Sequence, residues 1–175
     1  MKLLIRQGRL VDPVGGIGGI MDVLVEDGKV AVIGSNINEP DARVIDARGL
    51  TVCAGLVDMH VHLREPGFEY KEDIATGSAA AAAGGYTFVN LMPNTKPVCS
   101  SAEIVYEVEE KAREIGLCDA NQTVSITKNF DGHTIDHLLD LPDDIKFITE
   151  DGNGVMNNAT MARVFAVAAE RGLTV

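Results

Sequence analysis

From about Thr51 onward the chain alternates between two hydrophobic rhythms, and that alternation restricts its fold more than any other feature. Leu56 to Leu63, Tyr86 to Met92, Thr123 to Ile126 and Ile145 to Thr149 are short apolar runs that read as buried strands. Between them lie helical stretches. Glu72 to Ala83 is alanine-rich and stops at Gly84-Gly85. The next helix opens with Ser100-Ser101-Ala102-Glu103, a capping-box pattern, and closes near Gly116. A short helix is expected around Ile135 to Leu139. Met161, Val164, Phe165, Ala168 and Ala169 form a stripe of period 3.6 that Gly172 ends. Leu173 to Val175 reads as the start of a further strand.

Buried strands separated by helices imply a parallel sheet, either open and doubly wound or closed as a (β/α)₈ barrel. The pattern yields four βα units and a fifth strand just beginning. A complete barrel takes about 250 residues, so a barrel reading makes this chain about half of one. Half a barrel exposes two sheet edges, which invite self-association or pairing with a missing half.

The first fifty residues follow a different grammar. Lys2 to Arg6, Asp22 to Glu26, Lys29 to Gly34 and Val44 to Ala47 read as strands. Asp27-Gly28 between two of them is a hairpin signal. Gly15-Gly16 and Gly18-Gly19 suggest a loop. With no helical pattern here, residues 1–53 are expected to form part of a small β-sandwich module, and residues 54–175 the barrel portion.

Charge and composition exclude several roles. Fifteen basic residues against 26 acidic ones leave a net charge of −11, and nucleic-acid binding needs a basic stripe that this chain lacks. A hydrophobic content of 46% is enough for a real core. No apolar run approaches the roughly 20 residues of a membrane span, and the N-terminus does not read as a signal peptide. Cys53, Cys99 and Cys118 are odd in number and lack metal-type spacing, which fits reduced thiols in the cytoplasm.

Chemistry concentrates in Asp58-Met59-His60-Val61-His62-Leu63-Arg64-Glu65-Pro66-Gly67. Side chains two apart on a strand share a face, so Asp58, His60, His62 and Arg64 align if the strand runs that far. Two imidazoles about 7 Å apart along a strand can converge on one metal. The bland reading is a half-buried strand with two incidental histidines. The flanking carboxylate, the arginine and the sharp Pro-Gly exit weigh against it.

This motif, followed by Asn90-Leu91-Met92-Pro93-Asn94-Thr95-Lys96-Pro97, resembles the amidohydrolase superfamily, in its bacterial dihydroorotase branch near the hydantoinases and allantoinases. The resemblance implies that His60 and His62 bind the more buried of two zinc ions and that Asp151 bridges them. Hydantoinases use a carboxylated lysine in that bridging role. It also implies that Arg64 and Asn94, with His62 beside them, hold the carboxylate of dihydroorotate. Allantoinases tend to carry a small polar residue where Arg64 stands, so Arg64 favours dihydroorotate. The implied reaction is zinc-dependent, reversible hydrolysis of the cyclic amide to carbamoyl aspartate, a step in pyrimidine synthesis. Two further zinc histidines and an acid/base aspartate are expected on later strands, so this chain alone is expected to be inactive or nearly so. The runners-up are a hydantoinase- or allantoinase-type amidase and a non-catalytic partner of aspartate carbamoyltransferase.

Other residues compete for these roles. His133 and His137 have a metal-compatible spacing but polar neighbours, which suggests a solvated helix. Lys146 is an alternative bridging lysine, and Glu150 an alternative to Asp151. Asp58 could orient an imidazole from behind. Nothing near Cys53 or Cys99 would activate a thiolate.

Overall fold

The computed structural model describes all 175 residues, which form two compact units, Met1–Ala54 and Gly55–Val175. The first is a single five-stranded sheet. Strands β1 (Lys2–Asp12), β2 (Ile17–Glu26), β3 (Lys29–Gly34) and β4 (Arg43–Asp46) lie in the order β3-β2-β1-β4, and β5 (Thr51–Cys53) also pairs with β1. Where a sandwich is expected, no second sheet faces this one within the unit. The β2–β3 turn falls at Asp27-Gly28, both at positive φ, as a two-residue hairpin requires.

Gly18 and Gly19 depart from the expected loop. They lie inside β2, opposite Val11 and Leu10, because the turn closes earlier, around Gly15-Gly16. A bulge in β1 carries Gln7 at φ 57°. It turns the Gln7 amide onto Asp22 Oδ1 at 2.8 Å, while Ile37 N–H donates to Asp22 Oδ2 at 3.0 Å. The buried Asp22 carboxylate is thereby satisfied by backbone donors. Thr51 to Cys53 follows the first grammar rather than the second, since it pairs in parallel with Arg9 to Val11.

The second unit is parallel throughout. β6 (Leu56–Val61), β7 (Tyr86–Leu91) and β8 (Asp119–Gln122) lie side by side, and β9 (Val124–Ser125) pairs with β10 (Ile148–Thr149). β9 follows β8 after one residue, so one stretch of chain pairs with β7 by its first half and with β10 by its second. A single parallel bridge, Phe147 to Thr174, adds the C-terminal residues.

β8 was not legible as a strand. Its sequence, Asp-Ala-Asn-Gln, contains no large apolar residue. Polar side chains bridge the strands there instead: Asn121 Nδ2 donates to Asn90 Oδ1 at 2.6 Å, and Asn90 Nδ2 to the Met59 carbonyl at 3.2 Å.

Helix α1 (Ile74–Ala83) connects β6 to β7, and α2 (Ala102–Ile115) connects β7 to β8. α1 begins two residues later than its sequence suggests, because Asp73 takes the N-cap and accepts from Thr76 N–H. The capping box expected at α2 does not form. Ser101 is the N-cap and makes no side-chain cap bond, which places Glu103 one residue short of the reciprocal position. Gly116 closes α2 at φ 67°, a left-handed conformation that suits glycine.

Between β9 and β10 the connection contains no α-helix. Two 3₁₀ turns, Lys128–Phe130 and Asp136–Leu139, take its place, and Ile135, Leu138 and Leu141 fill the core there. Helix α3 (Asn158–Arg171) follows β10, with Asn157 capping its N-terminus and Gly172 its C-terminus. Two apolar cores result. Leu63, Ile74, Val89, Leu91 and Val108 form the one between β6–β7 and the first two helices. Val105, Val124, Ile126, Ile148 and Val164 belong to the other, which reaches α3. Parallel sheets of this kind place ligands at the C-terminal ends of their strands.

Candidate metal centre

At those strand ends His60, His62 and Asp151 come together. One ligand atom from each lies within 4.8 Å of the others. His60 Nε2 is 3.0 Å from Asp151 Oδ1, and His62 Nδ1 is 3.8 Å from Asp151 Oδ2. The two imidazoles stand edge to face, with centroids 5.2 Å apart.

The local route to this geometry is not the simple alternation expected from the sequence. β6 stops at Val61, after a register irregularity between Asp58 and Val61, so His62 already lies in the loop. The turn continues through Arg64 at φ 63°, which takes it off the strand face that Asp58 and His60 would have shared with it. Asp58 does not support an imidazole; its Oδ1 accepts the backbone N–H of His60 at 3.1 Å. Arg64 is half-buried and takes no part in the three-residue cluster.

Two contacts missed by sequence reasoning hold this loop in place. Glu65 accepts the N–H of Ile74, at the start of α1, with Oε2 at 3.1 Å, and its other oxygen pairs with Lys111 of α2. Gly67, at φ 93°, lies against the segment carrying Asn94. A Cβ there would sit 2.1 Å from the Lys96 carbonyl oxygen, and Lys96 N–H donates to the Pro66 carbonyl at 2.8 Å. The Pro-Gly pair was the only sequence signal for this close approach.

Asn94 is drawn into the cluster itself. Its Nδ2 donates to Asp151 Oδ2 at 2.8 Å, and its Oδ1 stands 3.0 Å from His62 Nδ1. The strand ends that carry these residues are tied to one another: Met92 N–H donates to the Val61 carbonyl at 2.9 Å, and Ile126 N–H to the Thr149 carbonyl at 3.2 Å.

The competing residues are engaged elsewhere. Glu150 is buried and receives both the N–H of Thr127, at 2.8 Å, and its hydroxyl. Lys146 and His133 are exposed and lie outside the cluster. His137 is not on a solvated helix; it sits half-buried on a 3₁₀ turn with Nε2 3.0 Å from the Ser125 carbonyl. Burial pushes the Cys99 thiol up to about 12, which leaves it protonated and unreactive. Two imidazoles and a carboxylate are a donor set that borderline-soft divalent cations such as zinc accept.

The architecture is that of part of an amidohydrolase. It is similar to a solved dihydropyrimidinase from Brevibacillus agri, with a TM-score of 0.78 and 27% identity over 99% of this chain and 39% of that one. An L-hydantoinase from Arthrobacter aurescens shares the fold, with a TM-score of 0.81 at 24% identity, covering 98% of this chain and 39% of that one. The family model described as dihydro-orotase-like matches residues 49–171, and the chain belongs to that family. Among curated relatives, the dihydroorotase of Aquifex aeolicus is 40% identical over all of this chain and 42% of its own length. That of Geobacter sulfurreducens is 43% identical, with the same coverage. The chain therefore spans about 42% of the length of these relatives. No helix is long and apolar enough to cross a membrane.

Proposed function

We propose that this chain is the part of a zinc-dependent dihydroorotase that supplies the first metal ligands and the grip on the substrate's carboxylate. The observation that supports this best is the convergence of His60, His62 and Asp151 from the two ends of the parallel unit onto one point. The relatives named as dihydroorotases, at 40 and 43% identity, favour this substrate over a hydantoin, whose hydrolases match at lower identity.

In this reading His60, His62 and Asp151 would hold the cation. Bound there, zinc would lower the pKa of a coordinated water and polarise the cyclic amide carbonyl. Arg64, in the loop that directly follows His62, carries a planar guanidinium suited to a bidentate pair with a carboxylate. Asn94 stands next to His62 and carries an amide donor for the same group. Neither residue offers a proton shuttle for the ring nitrogen, and Glu150 is sealed against Thr127. Three ligand groups also suffice for one cation rather than two. Turnover by this chain alone is therefore expected to be slight, in the reducing cytosolic setting that its free thiols suit.

The test is to purify the chain, add zinc, and measure bound metal together with carbamoyl aspartate formation from dihydroorotate. About one zinc per chain, lost in a His60→Ala/His62→Ala double variant, with little turnover, is the expected result. Failure to retain any zinc overturns the metal-site reading. Robust turnover overturns the division of labour.

A further inference from the structure

Asn94 touches both His62 and Asp151, and the chemistry of its amide fixes what it does to each. A carboxylate oxygen can only accept, so the NH₂ of Asn94 faces Asp151 and its carbonyl faces His62. That carbonyl can only accept in turn, so the neutral His62 ring carries its proton on Nδ1 and its lone pair on Nε2. The same NH₂ holds Asp151 Oδ2, which leaves Oδ1 directed at His60 Nε2, 3.0 Å away.

Asn94 is itself firmly seated. The carbonyl of Pro93 accepts both Thr95 N–H at 2.9 Å and the N–H of the buried Cys99 at 3.0 Å. The Thr95 hydroxyl donates to the Pro97 carbonyl at 2.7 Å. Both ends of its amide are engaged by these two side chains.

We infer that Asn94 is a positioning residue for the metal centre: it selects the His62 tautomer that keeps a lone pair on Nε2, and it holds Asp151 with Oδ1 on His60 Nε2. This rests on the metal-binding reading above and goes beyond a contact with substrate. Partners that orient metal ligands in this way typically contribute 10- to 100-fold in metal affinity.

The experiment uses the intact chain and two variants, Asn94→Ala and Asn94→Leu. The second retains most of the side-chain volume, so the comparison stands if the first fails to fold. Cobalt(II) is titrated against a competing chelator, and imidazole ¹⁵N shifts are recorded on the metal-free protein. Expected are cobalt affinity weaker by about 10- to 100-fold and a His62 ring that moves from the Nδ1–H tautomer toward a mixture. A residue with only a packing role would not change that tautomer. Absence of cobalt binding by the unmodified chain overturns the metal reading, and this inference with it. Binding by the unmodified chain that is equally tight in a folded variant, or an unchanged His62 tautomer, overturns the inference alone.

Discussion

On one side of the three-residue cluster, His60 leaves a strand whose Leu56, Val57 and Met59 are 47, 53 and 51% exposed, and its own side chain is 59% exposed. On the other, Asp151 follows a strand whose Ile148 is 2% exposed, and its side chain is only 12% exposed. β6 pairs with β7 alone, whereas β10 pairs with β9 and Phe147 just before it bridges to Thr174. The carboxylate is therefore placed by a packed core. The histidines lie on and just after a more exposed strand, in a loop held by contacts of Glu65, Gly67 and Asn94. The inner flank of the cluster is thus the buried one, while the outer flank depends on a few specific loop interactions.

If that contrast holds, truncating the core beneath the cluster and truncating β6 beside it should differ sharply. Ile148 is 2% exposed and belongs to the core that reaches α3. Ile148→Ala is expected to cost about 2–5 kcal/mol, as truncations of buried isoleucines do. Met59→Ala removes a half-exposed side chain and should cost under about 1 kcal/mol. Urea unfolding of both variants decides the matter, and equal losses would erase the distinction between the two flanks.

The loop carrying Arg64 gives a sharper test with a smaller effect. Gly67→Ala places a Cβ against the Lys96 carbonyl from a left-handed backbone, a combination expected to cost about 1–3 kcal/mol. Local opening should follow. The Lys96 amide, bonded to the Pro66 carbonyl, should exchange its hydrogen faster, while the Val89 and Leu91 amides stay protected. Uniform acceleration everywhere would mean that the loop and the core open together.

Much of this was legible in the sequence because strand and helix rhythms are local. β7, the β2–β3 hairpin and α3 were read within a residue or a few of their limits, since each combines an apolar period with a glycine stop. β8 was invisible for the opposite reason: its side chains are polar and find one another across strands, a satisfaction that no single window reveals. The helix expected at Ile135 to Leu139 shrank to one 3₁₀ turn, because Asp140 and Pro142 leave it nowhere to continue. At the site, residue types and their spacing suggested His60, His62 and, through family likeness, Asp151. The left-handed turn at Arg64 and the double engagement of Asn94 depend on segments far apart in the chain, and nothing local encodes them.

The smallest expected effect lies on the inner flank, at His137. Burial holds its imidazole below the ordinary value of 6.5, and Lys128 pushes the same way, while the hydrogen bond to the Ser125 carbonyl and the charges of Asp131 and Glu150 oppose them. Because the folded pKa lies below the unfolded one, the unfolded chain takes up the proton first as pH falls. The contribution is flat above pH 6.5, and stability declines as pH drops from there toward the folded value. The ring is only half-buried, so solvent screening should keep the loss under about 1 kcal/mol. His137→Gln removes this titration, and thermal melts from pH 7 to pH 5 should show a shallower decline for that variant than for the parent. Identical slopes would mean that the ring protonates as easily in the folded chain as in the unfolded one, which would make this part of the inner flank as open to water as β6.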